Sequence, residues 1–572
     1  MKPKVQLVQI NNAYNNQFYL PYSAGVLVTF AKQFPELENS FEFSPYIYKR
    51  DPLDVILEKI GTVDILAVSC YIWNWRLSTA IGEAYRKKNP KTLIVYGGPQ
   101  VPNKDPKFLE EHAYIDLAVE GEGELVFKDI LEAYLKDGDY REIPGVSCRD
   151  TLTDRLVVNE KGPRMRELDK LPSPYIEGAF ESLMAAENVK EWMGIWETNR
   201  GCPFSCTFCD WGSLINSKVT EFNWDRLMAE INWFSKKKIR FVFGADANFG
   251  IRKRDIDIAQ ALVDAKAKNG YPQDFRVCFT KNSTQRIYDV AKLLHDGELL
   301  RGVSISMQSL NDETLEVIKR KNIKLDTFRE LQEHYNKNGV STFTELILGL
   351  PGETYESFVQ GIDTLLNRGQ HSQIIVYNFT VMPNAEIGDP EYRKKHEIKT
   401  VDMPIFTAHA SAPDMDDPLI ETEPVIVSTR TMNSADYRQT HYFSWIIQAF
   451  HTLGPLKYVA IFLKSAYGVR YSDFYEALIH FGKSHPDSLI GSELALLDGV
   501  LDNALAGKGF NLVLPKFSDI TWPVEEATLC RVSVVLDDLY KELFEFTVNF
   551  LESKDVDYAA AHLRDLFLYQ QK

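Results

Sequence analysis

The stretch Asn199-Arg-Gly-Cys-Pro-Phe-Ser-Cys-Thr-Phe-Cys-Asp-Trp-Gly212 carries three cysteines spaced Cys-x3-Cys-x2-Cys, with an aromatic residue directly before the third. Cys202, Cys206 and Cys209 share one short loop, close enough for their thiolates to hold three irons of a [4Fe–4S] cluster, whose full protein ligation would take a fourth cysteine. One iron is thereby left open to a small ligand. A structural zinc site is the competing reading, but zinc sites pair two Cys-x2-Cys knuckles or add histidines, and no histidine lies nearby in sequence.

The loop follows an apolar, β-rich run at Gly194–Thr198. Further runs occur at Phe241–Ala245, Phe275–Phe279, Val303–Met307, Phe343–Leu348 and Ile374–Phe379. Between them apolar residues recur at helical spacing, as in Leu227, Ile231 and Phe234 or Ile258, Leu262 and Ala265, with Gly270 and Gly369 as helix stops. Six such units over residues 193–395 predict a partial (β/α)6 barrel of TIM type, with chemistry at the C-terminal strand ends. Those ends are polar: Gly244-Ala-Asp-Ala-Asn248, Thr280-Lys-Asn282, Ser304-Ile-Ser-Met-Gln-Ser309, and Glu345 ahead of Gly349-Leu-Pro-Gly-Glu353. Helix caps and inter-strand hydrogen bonds are the ordinary alternative for such residues.

Cysteine loop and strand ends together resemble the radical S-adenosylmethionine enzymes. The resemblance implies a [4Fe–4S] cluster on Cys202, Cys206 and Cys209 whose open iron chelates S-adenosylmethionine and cleaves it reductively to a 5′-deoxyadenosyl radical. It also implies cofactor contacts: Asp246 and Asn248 at the methionine amino group, Ser306 and Gln308 at the carboxylate or ribose, the backbone around Phe208 at the adenine, and Glu345 beside them.

Residues 1–150 alternate apolar runs (Val5–Ile10, Phe41–Tyr46, Asp64–Ser69, Thr92–Tyr96, Leu117–Val119) with helical stretches, and five βα units predict a Rossmann-like, doubly wound parallel sheet. Ligands bind such sheets outside the carboxyl ends of the strands. There stand Ser69-Cys-Tyr-Ile-Trp-Asn-Trp75, Gly97-Gly-Pro-Gln100 and Glu120-Gly-Glu-Gly-Glu124, whose glycines let backbone approach a bulky ligand. These loops resemble the cobalamin-binding domain of one large subgroup of the family. That implies corrin contacts at Ser69, Tyr71, Trp73, Gly97, Gly98, Gln100, Glu120, Gly121, Glu122 and Gly123. The cobalt-ligating Asp-x-His-x-x-Gly of other cobalamin proteins is missing, so no protein histidine is placed to reach the metal, and Trp73 and Trp75 either shield its lower face or pack the domain.

Residues 151–192, with Gly162-Pro163 and Leu171-Pro-Ser-Pro174, read as a linker. Residues 396–572 read as a mainly α-helical domain, with helical periods at Ser444–Leu453, Tyr471–Gly482, Ser492–Leu505 and Val532–Leu551, preceded by a loop or linker at Lys399–Ser428. Tyr437, His441 and Tyr442 read as packing residues of this domain rather than a substrate cavity. The fold class is therefore α/β, in three domains.

Among 572 residues, 45% hydrophobic and 25% charged content is ordinary for a well-packed chain, and a formal charge of −16 offers no footprint for a phosphate backbone, so nucleic acid is not expected as partner. Seven cysteines, three of them in one motif, fit a reducing cytoplasm. Neither a cleavable leader nor a membrane-length apolar segment is evident.

The resemblance over residues 1–395 implies a cobalamin-dependent methyltransferase. Its radical opens an unactivated carbon of a small-molecule or peptide substrate, cobalamin delivers methyl, and an external flavodoxin- or ferredoxin-type donor supplies electrons. Three rivals are a cyclase or rearrangement enzyme without methyl transfer, a binding protein with a degenerate first domain, and a methylthiotransferase. The last would need a second cluster, and the N-terminal region has only Cys70 and Cys148 to hold one. If the thiolate assignment holds, Cys206→Ala abolishes both the iron–sulfur chromophore and 5′-deoxyadenosine formation, while Cys278→Ala and Cys530→Ala retain both; an iron-loaded, active Cys206→Ala protein would refute it.

Overall fold

The computed structural model describes residues 2–14, 16–103, 105–136, 138–150, 153, 155–210, 217–280 and 285–572. Trp211-Gly212 of the cysteine motif and Lys281-Asn282 of the third strand end lie outside them. The chain forms two compact units: Met1–Arg301 with Met382–Asp389 and Asp416–Thr422, and Gly302–Val381 with Pro390–Met415 and Glu423–Lys572.

In the first unit a seven-stranded sheet runs, in spatial order, Glu42–Phe43, Lys4–Val8, Ile65–Ser69, Leu93–Gly97, Leu117–Val119, Val146–Arg149, Leu156–Val158. The first five strands are parallel and the last two antiparallel. Both faces are buried. Val5, Leu7, Ile65, Ala67 and Val95 pack on one side, while Val8, Leu66, Val68, Ile94 and Tyr96 pack on the other. That two-sided burial is why these strands read as continuous apolar runs rather than as alternating ones. The antiparallel pair went unread, because Val146–Arg149 and Leu156–Val158 are four and three residues long and show no period.

A second, five-stranded sheet of this unit has the order Asp274–Phe279, Phe241–Phe249, Glu191–Trp196, Gln17–Tyr19, Ala13–Tyr14. Its first four strands are parallel. Gln17–Tyr19, read as part of the N-terminal domain, thus extends the sheet that carries the cysteine loop. The segment 151–192 is not a bare linker: Met165, Leu168, Leu171, Tyr175, Phe180 and Leu183 are buried in the core beneath this sheet, and the Tyr175 hydroxyl donates to the Ile195 carbonyl. Its apolar residues belong to no long element, so they carried no periodic signal.

The remaining predicted barrel strands, Gly302–Ser304, Ser341–Leu348 and Gln373–Asn378, form a three-stranded parallel sheet in the second unit. Lys399–Pro404 and Thr422–Ser428 pair as a two-stranded sheet, where a plain loop or linker was expected. Helices at Ser434–Ile446, Lys457–Tyr467, Tyr471–Ser484, Leu489–Leu505, Val524–Ser533, Leu536–Ser553 and Ala560–Gln571 make up the C-terminal part. No single helix among the described residues is long and apolar enough to cross a membrane. Cys278 is exposed on its strand.

Two positions give direct tests of packing. A Cβ on Gly244 would lie 2.5 Å from Val277 Cγ1 and 3.1 Å from Phe275 Cζ, so Gly244→Ala should destabilise the chain by about 1–3 kcal/mol, read as a lowered denaturant midpoint. In the second unit His451, fully buried on a π-helical turn, places Nε2 3.0 Å from His371 Nδ1 and Nδ1 2.9 Å from the Tyr475 hydroxyl. Burial drives His371 down to about 4, and drives His451 well below the usual histidine range with help from His371. Both stay neutral in the folded state while the unfolded chain takes up their protons below about pH 6.5, so stability falls as pH drops from there toward 4. His371→Gln should flatten that fall in denaturation curves between pH 7 and 5; an unchanged slope would refute the assignment.

Candidate cofactor site

The cysteine loop is closed at its base by a short antiparallel pair, Asn199–Arg200 with Thr220–Glu221. Above it the Ser217 N–H donates to the Cys202 carbonyl at 2.7 Å. Gly201 has φ +123°, and a Cβ there would sit 2.5 Å from the Lys218 carbonyl oxygen, so only glycine lets the two arms meet. Cys202 and Cys206 are buried, Cys209 is half-buried, and none is in a disulfide. The Cys209 N–H reaches the Cys206 carbonyl at 3.3 Å, which folds the loop back on itself. Phe208 is half-buried, and the carbonyl of its neighbour Thr207 accepts from Ile387 N–H at 3.0 Å.

The donor set fits an iron–sulfur cluster. Three thiols outside any disulfide share one loop, and the Asn248 amide donates to Cys202 Sγ at 3.2 Å, the kind of N–H···S bond that tunes a cluster's potential. Among the described residues no three His, Cys, Asp or Glu side chains converge on a single ion. A cubane does not require that, since each thiolate takes a different iron. Asn248 is 1% exposed and its Oδ1 has no hydrogen-bond partner.

Asp246 behaves differently. Its carboxylate accepts from Thr198 N–H (2.8 Å), Asn199 N–H (3.1 Å), Asn199 Nδ2 (2.9 Å) and the Thr198 hydroxyl, so both oxygens already hold the residues leading into the cysteine loop. Burial pushes its pKa up to about 7, against four donors that favour the anion. Geometry makes it a clamp on that lead-in.

Nothing in its local pattern singles out Arg200. Its guanidinium lies 2.8 Å from Glu124 and 2.9 Å from Glu197, all three side chains nearly closed to solvent, and the Tyr22 hydroxyl donates to Glu197 at 3.0 Å. Glu124 opens the helix Gly123–Tyr134 directly after the glycine turn, so one ion-paired group joins the turn of the seven-stranded sheet to the root of the cysteine loop.

The expected corrin contacts all stand at or just beyond carboxyl ends of parallel strands, where α/β sheets take ligands. Tyr71 stacks on Trp73 with ring centroids 4.5 Å apart, and its hydroxyl meets Ser23 Oγ at 2.8 Å. Asn74 fixes this loop by accepting from Tyr71 N–H and donating to the carbonyls of Ile10 and Ser69. Trp75 begins a helix and packs against Phe108 and edge-on to His112, which is domain packing. Gly97, Gly98 and Gln100 are half-exposed. Gly98 is needed for a reason internal to the fold, since at φ +106° its Cβ would lie 2.6 Å from the Cys70 carbonyl oxygen. Gly123 likewise faces Leu27 at 3.2 Å, whereas Gly121, at φ +81°, makes the turn itself. Glu120 is buried, and Glu122 accepts from Met165 N–H at 2.7 Å and pairs with Arg164 at 3.3 Å, anchoring the segment that follows.

Two distant segments brace these loops, and neither had a sequence signal. Asn384 donates to the carbonyls of Pro99 and Val101, and Glu421 accepts from Arg76 and Leu77 N–H at the start of the Trp75–Lys88 helix while pairing with Arg50.

In the second unit Glu345 receives the hydroxyls of Ser304 and Ser306, which lie 2.8 Å from each other. Gln308 sits at φ +64°, uncommon for a side chain of its kind, with its N–H on the Glu345 carbonyl and its Oε1 buried without a partner. Asn322 ties this segment down through the carbonyls of Met307 and Ser309. Glu353 is filled by the hydroxyls of Ser309 and Ser357.

Comparison with known proteins places these features. Residues 196–365 match the radical SAM superfamily. The chain is 35% identical, over 97% of its length and 83% of the relative's, to the cobalamin-dependent radical SAM methyltransferase TokK of Streptomyces tokunonensis. It is 37% identical, over 83% of its length and 69% of the relative's, to the 2-(S-pantetheinyl)-carbapenam-3-carboxylate methyltransferase of Streptantibioticus cattleyicolor. The solved structure of the radical S-adenosylmethionine methyltransferase TsrM from Kitasatospora setae, with cobalamin and a [4Fe–4S] cluster bound, shares the fold at a TM-score of 0.56 and 16% identity, over 77% of this chain and 88% of that one. Extended identity to two such enzymes, on a chain that keeps the three-thiol loop, makes it a member of the cobalamin-dependent radical S-adenosylmethionine methyltransferases.

Proposed function

We propose that this enzyme methylates an unactivated carbon of a small carboxylate-bearing molecule of the carbapenam class, in the cytoplasm, with electrons from a flavodoxin- or ferredoxin-type protein. The observation that carries the substrate class is the 37% identity, across most of the chain, to an enzyme named for a pantetheinyl carbapenam carboxylate. We further assign the three-domain division at 1–150, 193–395 and 396–572, with 151–192 between the first two.

Bound to this chain, the cluster and S-adenosylmethionine supply a hydrogen-abstracting radical, and cobalamin supplies the methyl group. Cys202, Cys206 and Cys209 would hold the cluster, with the Asn248 amide drawing electron density from Cys202 and so easing its reduction. Asn248 Oδ1 and Gln308 Oε1, buried and unpartnered, are free to accept from the amino group or ribose of S-adenosylmethionine. Glu345, with its two serine hydroxyls, offers a further acceptor, and the backbone at Phe208 would meet the adenine. Asp246 would act through Thr198 and Asn199 by holding the cysteine loop in place. Tyr71, Trp73 and the half-exposed Gly97, Gly98 and Gln100 would form the floor beneath the corrin.

Anaerobic reconstitution with S-adenosylmethionine, cobalamin, a reductant and a carbapenam carboxylate should yield 5′-deoxyadenosine and a product heavier by one CH2. A turned-over product of unchanged mass would exclude methyl transfer and favour a rearrangement. Asn248→Ala should retain the cluster chromophore and lower its reduction potential; an unaltered potential would remove Asn248 from its assigned role.

A further inference from the structure

A cavity of about 930 Å³ lies in the first unit between the segment Pro163–Lys170 and the arm Ser217–Thr220 that returns from the cysteine loop, a size that suits a small-molecule ligand, for which pockets run to about 300–1,000 Å³. Its wall is basic. Arg164, Arg166, Lys170 and Lys218 line it against a single carboxylate, Glu167, in a chain whose 80 acidic residues outnumber 64 basic ones. Glu167 is taken up by Lys170 at 3.1 Å, and Arg164 gives its Nε to Glu122 at 3.3 Å. Among the described residues the side chains of Arg166 and Lys218 have neither ion pair nor hydrogen-bond partner, and Arg164 Nη2 is buried with no acceptor. A guanidinium nitrogen withdrawn from water without an acceptor is destabilising, so a fold keeps one where something else completes it.

We infer that this cavity binds the anionic oxygens, carboxylate or phosphate, of a small molecule, with Arg164, Arg166 and Lys218 as its recognition groups. Arginine presents a planar fork that matches both anions, and lysine adds a point charge. The wall is held at both ends by groups already placed. Met165 N–H and Arg164 are both fixed on Glu122 of the glycine turn, while Ser217, next to Lys218, donates to the Cys202 carbonyl. An anion here would therefore lie between the turn assigned to cobalamin and the loop assigned to the cluster. This deepens the proposed function, because a carboxylate-bearing substrate is one source of such an anion; the phosphate of cobalamin's nucleotide tail is the other. The overall negative charge of −16 conceals this local reversal of sign.

The test is calorimetric titration of the full-length, cluster-loaded chain with inorganic pyrophosphate and with glutarate, in wild type and in the double variant Arg166→Gln/Lys218→Gln. Saturable one-to-one binding that the double variant weakens by about tenfold or more, about 1.4 kcal/mol, is the expected result. Competition of the bound anion with cobalamin loading assigns the site to the tail phosphate, and competition with substrate at full cobalamin occupancy assigns it to the substrate carboxylate. Absence of saturable binding, equal affinity in the variant, or an anion that competes with neither would overturn the inference. None of these readouts depends on turnover, so a failure of the methyl-transfer reading would be seen separately, as missing product.

Discussion

A guanidinium almost closed to water, shared by two carboxylates, fixes how the parts of the first unit meet. Arg200 lies two residues before the first ligand thiol, Glu124 follows the glycine turn, and Glu197 directly follows the strand that leads into the loop. Removing one partner of such a group leaves a buried charge uncompensated, a loss of about 3–5 kcal/mol, even where the intact group adds little net stability over a well-packed apolar replacement. Its value is therefore in registry more than in stability. With a carboxylate on each side and the Tyr22 hydroxyl on one of them, the arginine has one satisfied position, and the cysteine loop is set at a fixed place relative to the sheet. Two cofactors that must act on one substrate need that kind of constraint more than either needs a tighter pocket.

The parts of this architecture that were legible share one property, a local pattern. Strands buried on both faces give apolar runs, amphipathic helices give a period, and three thiols on one loop give a spacing. What stayed hidden is long-range. The antiparallel strands at the sheet edge are too short to show a period, and Gln17–Tyr19 pairs in parallel with Glu191–Trp196, a strand more than 170 residues away. The segment 151–192 carries seven buried core residues at irregular intervals, which looks like a linker to any periodic test. Asn384 and Glu421 brace loops some 280 and 345 residues distant, and a single polar residue in an irregular stretch announces nothing.

The glycines show how a correct position can be read for an incomplete reason. A flexible, small residue at a strand end suggests room for a ligand, and Gly97 has that room, its nearest neighbour standing 3.4 Å from a Cβ. Gly98 and Gly201 are instead excluded from carrying a side chain by backbone carbonyls at 2.6 and 2.5 Å, together with a positive φ. Their demand comes from how two chain segments cross, and it would persist with no ligand at all. Strand-end glycines thus locate the crevice, while only the contacts of each one separate space kept for a ligand from space used by the fold.

Polar residues divide along the same line, and here the division bears on chemistry. Asp246, Glu122 and Glu353 are saturated by hydroxyls, amides or a guanidinium from their own unit, so each is a fastening whose place is set by what it holds. Asn248 Oδ1, Gln308 Oε1 and Arg164 Nη2 are buried and lack partners, a condition that native proteins rarely tolerate without a ligand, ion or water to complete it. In sequence, Asp246 and Asn248 are indistinguishable, two polar residues at alternate positions of one strand end. Strand alternation puts both side chains on the same buried face, and only the neighbours differ: Asp246 meets a lead-in that offers four donors, whereas Asn248 meets a thiol with its nitrogen and nothing with its oxygen. One residue therefore holds the loop while the other is left able to touch what the loop holds, and that distinction arises from packing rather than residue type.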